Sequence, residues 1–478
     1  MTTAAKAISW NRLKRRALSL GAVKAFDHAT HFLLPIVLTR CLDAATFGEY
    51  RLLWLVVGTV MAIATLNMAG GLFYFVPRSD ARGKRLYIHQ TMLFLAVSGL
   101  VCAAVAGPWN PLLPAAVAPL APYGWLVPAF VALWIASVLL DWLPTIDERI
   151  RWQAYATGST ALLRVALVAA AGWLAGNLRA ILWMLLAFVL FKLALLLYYI
   201  YRHHGLGRPW LERAAFADQF AHCAPFGLSN ALYSLRAQTD QWVAASLFAL
   251  SSFAAFSIAA IVGHVVQILR HSVMEAFMPT MSRMQAGGDV RGMMTMNSRA
   301  NIMVGTLLYP LLAFAFAFAE DIITVVYTAA YLEAAPVMRV YIVGMLAMVI
   351  EVGSVVLLLR QGPFALRITA LALAVSVALS WSAAQYVGLA GAAAGSVAAI
   401  YLDRTLLLRR IARHTGIALR ELQKWGPLAR TLALAAACGL VSWLLVQHFL
   451  GAAVPMVRLA AGATVLALAY VPLWRAIK

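Results

Sequence analysis

Two neighbouring apolar stretches, residues 224–248 and 253–278, carry ionisable side chains at positions that should lie inside a membrane. In the first stretch the polar residues recur at i, i+4, i+7 and i+11, on one face of a helix: Ser229, Tyr233, Arg236 and Asp240. The second stretch has a similar face with Arg270 at its edge, formed by Ser257, His264, Gln267, His271 and Glu275. Charge inside a bilayer is tolerated where it faces a partner or a water-filled cavity. The two stretches, joined by residues 250–253, therefore predict a polar cavity within a membrane protein.

A third polar face lies in the apolar stretch nearest the N-terminus. Lys24, Asp27, His28 and His31 share one side of the predicted helix, and Asp27 and His31 are close enough in sequence to pair. Arg236 and Asp240 have the same four-residue spacing, so they either line the cavity or only orient two helices. The histidines are, in the same way, either proton sites or packing residues.

Isolated cations complete the set of candidate site residues. Arg164 and Lys192 lie near the middle of two further apolar stretches, and Arg51 lies at the predicted outer mouth of another. The predicted substrate-binding residues are thus the cations Lys24, Arg51, Arg164, Lys192, Arg236 and Arg270. Guanidinium and ammonium groups in a cavity of low dielectric attract anions, and arginine suits phosphate in particular. The excess of cations therefore favours an anionic substrate.

Acids and histidines on the same faces are candidates for binding a coupling ion, either H⁺ or Na⁺. They are Asp27, His28, His31, Asp240 and His264. A metal motif such as HExxH is absent, and the four cysteines are scattered without a CxxC pair. We therefore predict no metal site, no cofactor, no disulfide framework and no catalytic residue.

The composition identifies the class of protein. Of the 478 residues 63% are hydrophobic and only 12% are charged, whereas a soluble domain has about 25% charged residues. Fourteen apolar segments are long enough to cross a bilayer, which takes about 20 residues. They are 17–38, 52–76, 88–107, 125–144, 154–176, 180–201, 224–248, 253–278, 301–319, 337–359, 365–385, 388–408, 429–449 and 456–474. The sequence thus predicts an all-α polytopic membrane protein with about 14 transmembrane helices.

The distribution of basic residues predicts the orientation. With the N-terminus in the cytoplasm, 28 of the 38 Lys and Arg residues fall on the cytoplasmic side, and five lie in outer loops or at outer span mouths. This bias follows the positive-inside rule and predicts that both termini are cytoplasmic. It also accounts for most of the net charge of +20, so nucleic-acid binding is not indicated. We expect no cleaved signal peptide, because a full-length span follows the basic N-terminal segment.

A faint internal repeat divides the chain. Residues 47–50 (Phe-Gly-Glu-Tyr) align with residues 253–256 (Phe-Ala-Ala-Phe) at an offset of 206 residues. Duplicated halves that flank a central site are a common plan of secondary transporters. The predicted domains are an N-terminal six-helix lobe at 1–223, a C-terminal six-helix lobe at 224–428 and a C-terminal helix pair at 429–478. We expect a central cavity between the two lobes.

Short motifs occur in a fixed order along residues 20–410. Residues 38–50 contain an arginine, a leucine and then an aromatic-Gly-x-Tyr sequence, and Pro225 and Asp240 follow in span seven. Further motifs are Pro279 after span eight, Tyr331 with 334–336 before span ten, and Gly388 with 391–393 at span twelve. This order resembles the Wzx-type polysaccharide flippases of the multidrug/oligosaccharidyl-lipid/polysaccharide exporter superfamily. The second repeat departs from the pattern, since Ala254 and Ala255 stand where the motif has glycine.

The resemblance implies that the protein moves an oligosaccharide linked to polyprenyl diphosphate from the cytoplasmic to the outer leaflet. The product would be O-antigen, capsule or exopolysaccharide, and transport would proceed by ion-coupled alternating access in the bacterial inner membrane. Membrane lipids and other polysaccharide-assembly membrane proteins are the expected partners.

Other functions remain open from the sequence. A multidrug exporter of the same superfamily usually has twelve spans and a cavity dominated by carboxylates. A polytopic polymerase, ligase or glycosyltransferase needs a large outer loop with catalytic residues, whereas the outer loops 108–124 and 320–336 are short. A structural scaffold would not need charges at mid-bilayer.

Overall fold

The computed structural model describes residues 26–27, 29–111, 113–260 and 262–477, and these residues are almost entirely helical. The helices are α1 (Ala29–Cys41), α2 (Ala44–Ala64), α3 (Met68–Phe75), α4 (Ala81–Ala106), α5 (Leu126–Ser137), α6 (Leu143–Ile146), α7 (Ile150–Ala175), α8 (Leu178–His203), α9 (Arg213–Leu247), α10 (Leu250–Ala259), α11 (Val262–Ala286), α12 (Val290–Ala317), α13 (Ala319–Val326), α14 (Ala334–Met348), α15 (Gly353–Leu358), α16 (Gly362–Val387), α17 (Leu389–Thr415), α18 (Leu419–Leu422), α19 (Trp425–Leu450) and α20 (Pro455–Ile477). Short 3₁₀ helices occur at Val76–Arg78, Ala115–Tyr123, Val138–Asp141 and Ala329–Tyr331. The predicted all-α architecture is confirmed.

Nine helical segments of the described chain are long and apolar enough to cross a membrane. Each of them overlaps one predicted span. The other predicted spans fall on helices that are short, such as α1 and α14, or that carry more charge, such as α9 and α17. The chain is therefore a multi-pass membrane protein, whereas the count of fourteen spans stays a prediction.

Several predicted spans are interrupted rather than continuous. The second span breaks between α2 and α3, where Leu66 and Asn67 have φ values of 41° and 57°. The fourth span continues through the 3₁₀ segment Val138–Asp141, and the tenth breaks between α14 and α15. A break inside a span leaves backbone polar groups that neighbouring elements must satisfy.

The eighth span differs from its prediction. The sequence predicted one helix over 253–278 with a joint at 250–253, but α10 already begins at Leu250 and ends at Ala259, and α11 begins at Val262. The joint to α9 consists of Phe248 and Ala249. The predicted single polar face is therefore divided between two helices.

The order of these helices repeats along the chain. α2 begins at Ala44 and α10 begins at Leu250, which is the offset of 206 residues found in the sequence repeat. In both series the second and fourth spans are interrupted, and two unbroken helices follow (α7 and α8, then α16 and α17). Phe47 and Phe253 occupy equivalent places and are both fully buried.

Internal contacts divide the chain into two compact units, separated in the sequence between Ser234 and Leu235. This point lies inside α9, after the domain boundary predicted at 223/224. In the first unit, Gln219 joins α9 to α4, accepting from Gln90 Nε2 at 2.6 Å and donating to Thr91 Oγ1 at 2.8 Å. The lobes at 1–223 and 224–428 and the pair at 429–478 stay predictions.

Glycines allow α16 and α17 to pack closely in the second unit. Gly391 and Gly395 have the four-residue spacing typical of helix interfaces in membranes. A Cβ atom at Gly391 would lie 2.1 Å from the Ala383 oxygen, and one at Gly395 would lie 2.1 Å from the Ser380 nitrogen. This contact fixes the first half of α17, whose second half carries two charged residues of the site described below.

Candidate functional site

In the first unit, Arg164 on α7 is joined to the segment that precedes α1. Arg164 is 5% exposed, and its Nη2 donates to Asp27 Oδ1 at 3.1 Å and to Thr30 Oγ1 at 2.9 Å. Asp27 also lies 3.9 Å from His31 Nε2, the neighbour predicted from the i,i+4 spacing. The buried guanidinium is therefore balanced by a carboxylate from another helix.

Lys192 on α8 is paired in the same way. Its Nζ donates to Asp141 Oδ2 at 2.8 Å and lies 5.2 Å from the ring centroid of Trp134. Asp141 belongs to the 3₁₀ segment that interrupts the fourth span. A carboxylate and an aromatic face together offset the cost of burying the ammonium group.

In the second unit, two further arginines form ion pairs across helices. Arg236 Nη1 lies 3.1 Å from Asp403 Oδ1, and Arg270 Nη1 lies 3.0 Å from Glu351 Oε2. All four side chains are largely buried. The spacing had suggested Asp240 as the partner of Arg236, whereas the ion pair joins α9 to α17 because Asp240 is bonded to α14.

A third arginine, Arg404, lies beside these two pairs. It follows Asp403 on α17 and interacts electrostatically with both carboxylates and both arginines. We define the arginine cluster as Arg236, Arg270, Arg404, Asp403 and Glu351. Within the described part of the chain, Arg270 Nη1 and Arg404 Nε are buried nitrogens without a hydrogen-bond partner. The cluster thus holds three cations against two carboxylates.

The unpartnered nitrogens give the cluster a capacity to bind an anion. Arg270 Nη1 is close to Glu351, but the contact has the geometry of a charge interaction rather than of a hydrogen bond. A buried donor without an acceptor costs about 1–3 kcal/mol. Phosphate oxygens would supply acceptors to a guanidinium in its preferred geometry.

Glu351 is held in place by the break in the tenth span. Its backbone nitrogen donates to Asn301 Oδ1 at 3.0 Å, and its carbonyl oxygen accepts from Asn297 Nδ2 at 3.1 Å. Asn301 also donates to Gln423 Oε1 at 2.9 Å, in the segment before α19. Side chains of α12 thus satisfy the backbone groups freed by the break and fix the residue that faces Arg270.

An apolar cluster anchors the second half of α17. Met281, Met293, Val355, Ile411 and Leu422 are each less than 2% exposed and belong to α11, α12, α15, α17 and α18. Ile411 lies two helical turns after Arg404 and therefore on the same face of α17.

Asp240 on α9 has a different environment. It is 4% exposed, its Oδ2 accepts from Tyr341 Oη at 2.8 Å, and its Oδ1 accepts from the Gln241 nitrogen at 2.8 Å. In the described part of the chain its hydrogen-bond partners are uncharged. A buried carboxyl group held by neutral donors is suited to taking up and releasing a cation.

The remaining predicted site residues are not brought into the cluster. Arg51 is half-buried on α2, and His31 on α1 is exposed. Lys24 and His28 lie outside the described residues, as does the side chain of His264 on α11. No group of three or more His, Cys, Asp or Glu residues suited to a metal occurs among the residues that were described.

Sequence reasoning missed Arg404, Asp403 and Tyr341. Residues 403 and 404 lie near the cytoplasmic end of the span predicted at 388–408 and were not chosen as site residues, whereas α17 continues to Thr415. Leu407, Leu408 and Ile411 follow Arg404 at helical spacing, and Ile411 continues this period past the predicted end at residue 408, so the signal could have extended the helix.

A family model described as "Polysaccharide biosynthesis protein" matches residues 13–285, which is more than half of the chain. The chain belongs to the polysaccharide biosynthesis protein family. The family match includes Arg236, Asp240 and Arg270, whereas Asp403 and Arg404 lie beyond it. No curated protein gives a significant match.

Solved structures show which fold this polysaccharide biosynthesis protein has. The lipid II flippase MurJ in an inward closed conformation is 10% identical with a TM-score of 0.71, covering 96% of this chain and 99% of that one. An inward-facing multidrug resistance MATE family transporter of the MOP superfamily is 12% identical with a TM-score of 0.61, covering 84% and 99%. A mutant of the Vibrio cholerae MATE transporter VcmN is 15% identical with a TM-score of 0.53, covering 86% and 98%. The chain thus has the fold of MOP-superfamily transporters.

Proposed function

We propose that this protein moves a polyprenyl-diphosphate-linked oligosaccharide from the cytoplasmic to the outer leaflet of the bacterial inner membrane. The membership in the polysaccharide biosynthesis protein family and the MOP-type fold support a role in transport for polysaccharide assembly. Both termini then lie in the cytoplasm, as the positive-inside bias predicts. The product would be a surface polysaccharide such as O-antigen, capsule or exopolysaccharide.

The arginine cluster is the observation that carries this proposal. Its charge excess, and the Arg270 and Arg404 nitrogens that donate no hydrogen bond to a described residue, fit a diphosphate better than they fit a lipophilic cation. Arg164 and Lys192, in contrast, are each matched by one carboxylate. We therefore assign the diphosphate to the second unit. Arg236 joins the site only when Asp403 releases it.

Ion-coupled alternating access is the proposed mechanism. The lobes predicted at 1–223 and 224–428 would expose the substrate first to one side of the membrane and then to the other. Asp240 is the leading coupling residue, because its carboxyl group is buried against neutral donors. Asp27 is a weaker candidate, since Arg164 already binds it. A proton or Na⁺ at Asp240 can drive the cycle only by binding two conformations unequally.

Substitution of the cluster arginines tests the proposal. Arg270→Ala and Arg404→Ala should abolish flipping of a fluorescent polyprenyl-diphosphate glycan in proteoliposomes, and should deprive a dependent bacterial strain of surface polysaccharide. Arg413→Ala is the matched control, because Arg413 is exposed on the same helix as Arg404. Normal flipping by both cluster variants at normal membrane levels would refute the assignment.

A further inference from the structure

A basic cleft opens in the first unit where the loop between α8 and α9 packs against the start of α4. It has a volume of about 520 Å³ and is lined by Arg82, Arg208, Pro209, Trp210 and Leu211. None of these residues belongs to the proposed transport site. We refer to this feature as the loop cleft.

Buried His89 on α4 holds the loop that forms one wall of the loop cleft. Its Nδ1 lies 3.1 Å from the Pro209 oxygen, and its Nε2 lies 3.1 Å from the Gly205 oxygen. The imidazole also stacks on Trp210, with ring centroids 4.5 Å apart. A neutral imidazole donates to one of these carbonyl oxygens at a time, and the stacking on Trp210 adds a second contact. His89 therefore holds the loop that presents Arg208, which lowers the entropic cost of binding a ligand there.

Among the described residues, no carboxylate forms an ion pair with the arginines of the loop cleft. Arg82 and Arg208 form no ion pair within the described part of the chain, and both are exposed. Arg85, one turn after Arg82, lies against Gly207, and its buried Nε has no hydrogen-bond partner among the described residues. The adjacent acid Asp80 is engaged as the cap of α4, where it accepts from the Gly83 nitrogen at 2.8 Å. The positive charge of the cleft is thus available to an anion.

Apolar side chains flank the same arginines. Leu206, Trp210 and Leu211 are 41%, 38% and 53% exposed on the loop. The loop connects two membrane helices on the side predicted to be cytoplasmic, where anionic lipids attract basic segments and tryptophan prefers the headgroup level. A soluble phosphate compound would not need this apolar border, whereas a lipid offers both a phosphate and an apolar body.

We propose that the loop cleft binds the phosphate group of an anionic phospholipid in the cytoplasmic leaflet, with Arg82 and Arg208 as the direct ligands. Arginine binds phosphate oxygens through paired N–H groups, and two arginines on separate elements can clasp one headgroup. The bound lipid would anchor the α8–α9 loop to α4 at the membrane surface.

Lipid binding to the purified protein tests this proposal. Native mass spectrometry would measure binding of dioleoyl phosphatidylglycerol, with zwitterionic dioleoyl phosphatidylcholine, which has no net charge, as the comparison. The variant Arg82→Ala/Arg208→Ala should weaken phosphatidylglycerol binding by about thirtyfold, equal to about 2 kcal/mol at about 1 kcal/mol per arginine. The control Arg151→Ala/Arg202→Ala removes the same charge from exposed residues of the same unit and should leave the affinity unchanged.

The possible outcomes separate the explanations. Equal loss in both double variants would show only a diffuse basic surface and would overturn the proposal, as would no loss in either. If soluble pyrophosphate displaces phosphatidylglycerol and binds with the same affinity, the cleft would be assigned to a free phosphate compound and the proposal would be overturned. If the double variant does not purify, the single variants Arg82→Gln and Arg208→Gln should each weaken lipid binding by about fivefold. Transport assays do not enter this test, so its failure leaves the proposed function standing.

Discussion

Arg236 and Asp403 form a largely buried ion pair between α9 and α17, with 3.1 Å between Nη1 and Oδ1. Removing one member of a buried pair leaves an uncompensated charge, whereas replacing both by apolar residues is often neutral for stability. The observed pairing of Arg236 with Asp403 and its proposed role as a ligand for phosphate can therefore be separated by experiment.

The first prediction concerns this pair. Arg236→Ala should lower the free energy of unfolding by about 3–5 kcal/mol, because Asp403 stays buried without its cation. The double variant Arg236→Met/Asp403→Leu should regain most of that stability but should not flip lipid-linked oligosaccharide. Thermal unfolding in detergent and flipping in proteoliposomes give the two measurements. Recovery of flipping in the double variant would show that Arg236 serves structure alone.

The sequence was sufficient for the helical fold but not for the ion pairs. Apolar length alone located the nine long apolar helices of the described chain, because a helix that crosses a bilayer needs a long apolar run whatever its neighbours are. The partner of Arg270 could not be found this way, since Glu351 is distant in sequence and meets it only through the packing of α11 against α14 and α15. Local spacing shows which residues share a helix face and carries no information on which helix lies opposite.

The helix breaks were missed for a related reason. Residues 64–68 lack proline and read as continuous apolar helix, although Leu66 and Asn67 take a left-handed backbone conformation. Gly227 on α9 packs directly against this turn, and a Cβ atom there would lie 2.4 Å from Leu66 Cα. The break therefore depends on a tertiary contact in the first unit, which hydropathy cannot detect.

The second prediction concerns ion coupling at Asp240. Asp240→Asn should abolish ion-driven flipping, because an amide cannot exchange a proton or balance Na⁺. Tyr341→Phe removes one hydrogen bond to the carboxyl group and should slow transport less severely. Flipping is measured in proteoliposomes with imposed H⁺ or Na⁺ gradients. Asp218→Asn, an exposed aspartate on the same helix, is the control. Gradient-dependent flipping by Asp240→Asn would exclude Asp240 as the coupling site.

The third prediction uses the structural repeat. Asp43 caps α2 by accepting from the Ala45 and Thr46 nitrogens at 2.9 and 3.0 Å, and these bonds keep the pKa of its carboxyl group below the usual value. The equivalent residue before α10 is Ala249, which has a similar extended backbone and no side-chain cap.

Asp43→Ala should destabilise the protein by about 1 kcal/mol, and Ala249→Asp should stabilise it by a similar amount. Both residues are exposed, so thermal unfolding reports the bonds at the helix start with little change in packing; at Asp43 these include the bond from Thr46 Oγ1 at 2.7 Å. If Ala249→Asp does not raise the thermal stability, a capping side chain does not stabilise the start of α10 as it stabilises the start of α2.

The fourth prediction concerns stability in acid and rests on Asp147, between α6 and α7. Its Oδ2 accepts from Tyr199 Oη at 2.6 Å and lies 2.7 Å from His204 Nε2. Burial alone would raise the pKa of Asp147, but the hydrogen bonds from His204 and Tyr199 outweigh burial and lower it. The carboxylate therefore stabilises the fold above its unfolded pKa of about 3.9, and this contribution is lost as the pH falls through the lower folded value.

Asp147→Asn should reduce the free energy of unfolding by about 1–3 kcal/mol near neutral pH, because it replaces the carboxylate that Tyr199 and His204 contact. The difference from the parent protein should shrink as the pH is lowered below about 4, where the parent's carboxylate becomes protonated. Thermal unfolding in detergent across this pH range measures the effect. Glu148→Gln makes the same charge change at the neighbouring exposed residue and should give a constant, small difference. An Asp147→Asn difference that stays constant or grows in acid would contradict the role given to the two hydrogen bonds.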